Sequence, residues 1–428
     1  MSARRCLGTL LLATACLGMT WTASADDDNA PATRVTFYKD VLPILQNNCQ
    51  VCHRPSGADL GGMVAPMSLL TYEEARPWAK SIARQIDERQ MPPWHATDQF
   101  HGVFANERTL KNEERATILE WVKQGAIAGN KADAPAPVAW SSTEWAIGEP
   151  DLILEMPGPF TVADDVEDLY VNFTVDTGLT EDRWVRAMQF KPGSTVVHHI
   201  IGYVYNQGEV DFNNERGMIG GIAPGNDASA FADGYGFRLN AGSKFVFAMH
   251  YHKEKGPGTA APDRSKVGLR FYPAGVAPKQ VHIEAIGNMG FEVPPFHPEW
   301  TVGMAKTYDR DIKIHFLMPH MHLRGAYAKY TAFYPDGRVE ELLEVPRYDF
   351  NWQTSYEYRE PKLIPAGTRL EVLMKFNNTA ERGSDNGFNP SRAVRFGGPT
   401  TDEMALGWLS YSYEGEEPAA EDVASATE

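Results

Sequence analysis

The texture of this chain changes once, across an alanine- and proline-rich stretch at residues 131–138, and that change divides what its two parts can become. Before it, apolar residues recur at helical spacing. Phe37, Val41, Leu42, Ile44 and Leu45 form one stripe, residues 75–90 carry Trp78, Ile82 and Ile86 on one face, and residues 111–126 turn Ile118, Leu119, Trp121 and Val122 inward. After it, short β-branched and aromatic runs alternate with Gly/Pro turns, at 152–156, 169–175, 196–205, 245–252, 267–272, 312–317, 370–376 and 405–413. About 275 residues of such pattern exceed one small sandwich, so two are expected, meeting near residues 275–281. The expected architecture is therefore a small all-α domain at 34–130, a linker at 131–144, and two all-β, jelly-roll-like sandwiches at 145–278 and 279–415. An acidic flexible tail is expected at 416–428.

The first 25 residues read as a secretory leader. Arg4 and Arg5 precede an apolar run, and Ala23-Ser24-Ala25 offers a cleavage site ahead of Asp26-Asp27-Asp28. The run is short for a spanning helix, and Ala13-Thr14-Ala15 before Cys16 makes a poor lipidation site. Cleavage after Ala25 gives a periplasmic or secreted protein with no integral membrane segment. The formal charge of −16, near −18 once the two leader arginines are gone, argues against nucleic acid or an anionic membrane as partner.

Of four cysteines, Cys6 and Cys16 leave with the leader, and Cys49 and Cys52 are too close together to frame a disulfide scaffold. Cys49-Gln50-Val51-Cys52-His53 is instead the attachment signature for one covalent haem c: both thiols become thioethers and His53 is placed to ligate iron. A dithiol redox motif needs no adjacent histidine, and a zinc site wants more Cys or His at paired spacing. Met91, followed by Pro92-Pro93-Trp94, resembles the ligand loop of small class I cytochromes c and is the expected second axial ligand. Met63, Met67, His95 and His101 are the alternatives. Residues 34–130 are thus expected to form a cytochrome c-like domain.

Six of the twelve histidines fall in three tight clusters in the β region: His198-His199, His250 with His252, and His320 with His322. Residues two apart on a strand share a face, so His320 and His322 can pinch one metal, and His250 and His252 also point together. The adjacent pair His198-His199 would diverge on a regular strand; joint ligation requires a strand irregularity or reach from different ring nitrogens. Imidazole-rich sites suit copper, zinc, iron or nickel, and a thioether tilts the choice toward copper.

The order His198-His199, His250-Tyr251, His320-Met321-His322 and Asp402-Glu403-Met404 resembles the copper type II ascorbate-dependent monooxygenases, the family of peptidylglycine α-hydroxylating and dopamine β-monooxygenases. The resemblance covers roughly residues 145–413. It implies two copper ions, an electron-relay copper on His198, His199 and His250, and an O2-binding copper on His320, His322 and Met404. It also implies hydroxylation of a substrate C–H bond with two electrons consumed per turnover. The chain departs from the family in lacking disulfides in its β region. Met318, Leu406 and Trp408 stand where the peptide-processing enzyme grips a substrate carboxylate, which argues against peptidylglycine. The resulting expectation is an exported monooxygenase acting on a small organic substrate with O2. A haem domain would take electrons from a redox partner or ascorbate-like reductant and pass them to the histidine-only copper. The rival expectations are a non-catalytic haem and copper electron carrier, and a reductase of O2 or nitrogen oxides.

Overall fold

The computed structural model describes residues 34–55, 57, 63–140, 145–205, 217–226 and 229–415. The leader at 1–25 and the tail at 416–428 lie outside the described residues.

The front of the chain is helical. A π-turn at Phe37–Val41 runs into α1 (Leu42–Asn48), with Pro43 in the first turn, where its missing N–H costs nothing. Thr71 and Glu74 form a capping box that starts the second helical stretch, which passes through a 3-10 turn at Arg76–Trp78 into α2 (Ala79–Asp87). α3 (Asn112–Lys123) follows. Phe37, Leu45, Ile82, Ile86, Ile118 and Trp121 close a small core of their own. Trp78 departs from expectation: it is 43% exposed. It sits in the 3-10 turn, whose three residues per turn rotate it off the face that Ile82 and Ile86 share.

The back of the chain forms two antiparallel β-sandwiches; each of the eight expected runs coincides with a strand, and the sheets also take in strands the pattern did not mark, among them Arg183–Lys191, His282–Gly287, Gly325–Phe333 and Tyr356–Ile364. Eight strands make the two sheets that confront each other. In the first sandwich these are β1 (Asp168–Asp176), β2 (Val197–Tyr205), β3 (Met218–Ile222) and β4 (Lys244–His252), hydrogen-bonded in the order β1-β4-β2-β3. In the second they are β5 (His282–Gly287), β6 (Ile312–His320), β7 (Tyr356–Ile364) and β8 (Leu406–Tyr413), in the order β5-β8-β6-β7. Each is backed by an outer sheet, centred on Arg183–Lys191 in the first sandwich and on Gly325–Phe333 with Arg369–Phe376 in the second. The chain leaves the first sandwich at Lys279–Gln280, paired to Tyr235–Gly236, and enters the second at His282.

Alternation explains which residues reach the space between the sheets. Along β2, Ile200 and Val204 bury into their own sandwich, whereas Ile201 and Tyr203 face the other one. From the opposite side come Ile283, Phe316, Met318, Leu406 and Trp408, and Met218 of β3 completes an apolar layer between the sandwiches. The histidine clusters lie at one end of this layer.

One stretch of the front part belongs to the back. Trp94, Phe100 and Phe104 sit in the core of the second sandwich. Thr97 N donates to Glu344 O at 3.0 Å and Ala105 N to Glu357 O at 2.7 Å, while Asn106 binds Ser355 O and the Glu357 amide. These bonds weld the helical unit to the second sandwich.

Candidate functional site

The three histidine clusters meet. His199 of β2 lies directly opposite His250 of β4, and the register slips between Val197 and His199. That irregularity turns the adjacent pair His198-His199 toward one point, as joint ligation requires. His198 Nδ1 and His250 Nδ1 each lie 3.3 Å from His199 Nδ1, and one donor atom from each of the three rings falls within 4.8 Å of the others. A metal bound tetrahedrally at about 2.0–2.1 Å from each nitrogen separates its ligands by roughly 3.3–3.4 Å, so the spacing fits an ion.

The protons point the same way. His250 Nε2 donates to Asp168 Oδ1 at 2.8 Å, which leaves its Nδ1 bare toward the cluster. One N–H on His199 cannot serve both of its 3.3 Å contacts in line, and a cation at the centre removes that conflict. Burial, reinforced by mutual repulsion, pushes His198 and His199 well below the usual imidazole value, so both are neutral and able to ligate. Burial also lowers His250, against the pull of Asp168.

Asp168 is one of the residues that sequence reasoning missed, with Gln353 and Phe350. It stands at the start of β1, opposite His252, and its Oδ1 also accepts from His252 Nδ1 at 3.1 Å. Its Oδ2 accepts from Thr400 Oγ1 at 3.1 Å, across from the second sandwich. Burial alone would raise Asp168, but the two histidine hydrogen bonds outweigh it and hold the carboxyl far below its usual range. The hydrogen bond to Asp168 raises His252, which braces the Asp168 carboxylate without joining the three Nδ1 atoms. Tyr170, two residues on, stacks flat on His250 with centroids 4.1 Å apart and donates its hydroxyl to Gly398 O.

His320 ends β6, and His322 lies just past it, their rings perpendicular and 5.3 Å apart. His320 Nδ1 donates to Gln353 Oε1 at 2.7 Å, and His322 Nδ1 donates to Asp402 O at 3.2 Å. Both acceptors lack a proton to give, so each ring carries its hydrogen on Nδ1 and turns Nε2 free for a metal. Burial lowers His320 to about 4 and His322 to about 3. Buried Glu403 clasps the same turn: its two oxygens accept the amides of His322 at 2.9 Å and Arg324 at 2.7 Å. Burial pushes Glu403 up to about 8 against those donors. Met404 follows directly, half-buried in the apolar layer beside Leu406, Trp408 and Met318. The two histidine sets are neighbours: His199 and His320 rings are 6.4 Å apart, and Phe350 stacks on His198 at 4.6 Å while lying 5.9 Å from His322.

The other candidate centre is an apolar cavity of about 280 Å3 in the helical unit. Cys49, Cys52, His53 and Met91 all line it, as do Met63 and Met67; His95 and His101 do not. His101 instead pairs with Glu107 at the surface. His53 Nδ1 donates to Met67 O at 3.3 Å, leaving Nε2 available. Burial pushes the Cys49 thiol up to about 12, so the cysteine is kept as a neutral thiol in an apolar wall. Two thiols, one oriented imidazole and thioethers from Met63, Met67 and Met91 around an apolar space fit a thioether-bound haem.

The chain matches no family model and no curated protein. Among solved structures it is similar to viral coat proteins. The major capsid protein P2 of bacteriophage PM2 is 8% identical over 62% of this chain and 98% of that one, with a TM-score of 0.29. A Broad Bean Stain Virus chain is 7% identical over 66% and 98%, TM-score 0.26. The infectious bursal disease virus VP2 subviral particle gives 9% identity over 63% and 74%, TM-score 0.20. At such scores the likeness carries no argument about the site.

Proposed function

We propose that this protein is an exported haem- and copper-containing monooxygenase that hydroxylates a C–H bond of a small organic substrate with O2, with electrons relayed through a c-type haem. The observation that carries this reading is a pair of donor sets brought side by side, with the His199 and His320 rings 6.4 Å apart. Three Nδ1 atoms converge on the first sandwich, and two Nε2 atoms are freed on the second. Such imidazole sets hold copper, and a Met ligand favours its reduced state.

His198, His199 and His250 would hold one copper; His320, His322 and Met404 the other; Cys49, Cys52, His53 and Met91 the haem. Bound there, copper supplies O2 binding and one-electron chemistry, and haem supplies electrons. The chain's own contribution is orientation. Asp168 fixes the proton of His250 on Nε2, Gln353 and the Asp402 carbonyl fix those of His320 and His322 on Nδ1, and Glu403 locks the loop that joins the second set. The apolar layer of Met218, Phe316, Met318, Leu406 and Trp408 excludes water beside the second set, which suits an uncharged, apolar substrate over a carboxylate-bearing one.

The test begins with a count: the purified mature protein is expected to carry one covalent haem and two copper ions. With reductant and 18O2 it should place labelled oxygen in an organic product, and Met404→Leu should abolish that product with haem still attached. Redox cycling without a hydroxylated product, or full activity in the Met404 variant, would overturn the reading.

A further inference from the structure

The haem cavity has one wall from outside the helical unit. Every other residue lining it falls between Leu45 and Leu110, but Trp352 comes from the second sandwich. The next residue is Gln353, the hydrogen-bond partner of His320. Resting on the function proposed above, we propose that the dipeptide Trp352-Gln353 is a fixed bridge from the haem pocket to the His320/His322 pair, so that electrons enter first at His320 and not, as the sequence alone predicts, at the histidine-only set of His198, His199 and His250.

The bridge has no slack. Gln353 is fully buried and every polar group on it is engaged. Its N–H donates to Pro224 O at 2.7 Å, its carbonyl accepts from Asn226 Nδ2 at 2.8 Å, and its Nε2 donates to Phe350 O at 3.0 Å. The last bond fixes the amide's orientation, since a flipped amide would set oxygen against the Phe350 carbonyl. Oε1 therefore faces His320, 2.7 Å away. Trp352, partly buried, is held by packing and by its N–H, which donates to Asp349 O at 2.9 Å. Gly225, at φ +95°, lies against it so closely that a Cβ there would come within 3.2 Å of Trp352 Cα. Arg108, which also lines the haem cavity, donates to Gly225 O at 3.0 Å and Thr354 Oγ1 at 3.5 Å. The helical unit, both sandwiches and the bridge meet at this point.

The competing route to the other metal set runs from Gln353 through Phe350 to His198. It adds residues and ends in a ring stack at 4.6 Å, with no bond between the rings. Electronic coupling decays faster across a non-bonded gap than along covalent and hydrogen bonds, so the His320 branch is favoured. One electron crosses per event: the haem iron is oxidised by one charge, the metal at His320 is reduced by one, and no bond or proton moves.

The experiment uses the full mature chain with its haem and added Cu(II), without O2 or substrate. A flash-generated reductant reduces the haem, and its visible bands report reoxidation. Trp352→Leu, checked for wild-type haem spectrum, potential and copper content, should slow reoxidation ~10-fold; Gln353→Leu, which also loosens the His320 ligand, is read at saturating copper and should slow it by at least as much. Trp352→Phe should restore most of the rate. Freeze-quenched samples should lose first the Cu(II) signal that is missing from His320→Ala protein. Wild-type rates in both bridge variants, or first loss of the signal missing from His198→Ala protein, would overturn the bridge. A chain that takes up no haem or no copper overturns the underlying function instead, and the metal count shows that before any flash.

Discussion

Removing Asp168 should weaken one metal set and spare the other, in two graded steps. Its Oδ1 accepts from His250 and His252, and its Oδ2 from Thr400. Asp168→Asn keeps an oxygen where both imidazoles donate and loses the charge and the acceptor for the Thr400 hydroxyl. Asp168→Ala also removes the acceptor, so the His250 proton can settle on Nδ1, the atom that would bind metal in the proposed site. Losing a group that orients a ligand costs metal affinity about 10- to 100-fold. The Asn variant belongs at the lower end, about 1.4 kcal/mol, and the Ala variant at the upper, about 2.8 kcal/mol. Competition with a chelator of known affinity separates two binding phases. The weaker phase in each variant should be the one absent from His198→Ala protein, and the phase absent from His320→Ala protein should not move. If Asp168→Ala bound both metals as tightly as wild type, the orientation argument would be refuted.

Three further outcomes follow from the same geometry. In the metal-free chain His198, His199, His320 and His322 stay neutral when folded and take up protons only on unfolding, because burial lowers each of them. Their contribution is complete above about pH 6.5 and is lost as pH falls toward about 4, with His320 alone worth roughly 3 kcal/mol. Melting temperatures should therefore drop steeply between pH 7 and pH 5, in the copper-loaded protein as in the copper-free one, since metal-bound imidazoles also take up protons only on unfolding; a flat copper-free profile would count against it. Tyr170→Phe should keep the metal while Tyr170→Ala loosens it, since the stack on His250 needs only the ring, and chelator competition distinguishes the two. Gly225→Ala should destabilise by about 1–3 kcal/mol in denaturant unfolding, because a side chain there meets both a left-handed backbone and Trp352.

Local pattern carried the strands and the pairing of histidines on faces. Alternation located β2, β4 and β8 to within a residue at each end and β6 at its start, though β6 runs three residues further, to His320; the need for a break beside His198 is met by the register slip. What was not legible depends on register between distant segments. Asp168 lies in an ordinary acidic run, and nothing marks it until β1 is laid against β4 and it falls opposite His252. Gln353 and Phe350 sit in a loop without periodicity, where only tertiary packing brings them to His320 and His198. Trp78 misled for a local reason, since a 3-10 turn breaks the 3.6-residue spacing that helical reading assumes.

The stretch between α2 and α3 was equally opaque, and it bears most on how the molecule works. Trp94, Phe100 and Phe104 have no helical or strand rhythm, yet they fill the second sandwich's core, and Phe104 is wholly buried against Tyr356 and Tyr358. A helical unit joined only by a flexible linker would swing, and its cavity would meet the cleft only in passing. Here the helical unit is fixed at both ends of a segment that is itself part of the sandwich, so Trp352 keeps one position against the cavity. Phe104→Ala should cost about 3–5 kcal/mol by leaving a cavity in that core. Unfolding followed by tryptophan fluorescence should then split into two transitions where the wild type shows one, as the two units lose the contact that makes them cooperative. A single, merely shifted transition would mean that the weld spreads over the neighbouring hydrogen bonds of Thr97, Ala105 and Asn106 and does not hinge on this ring.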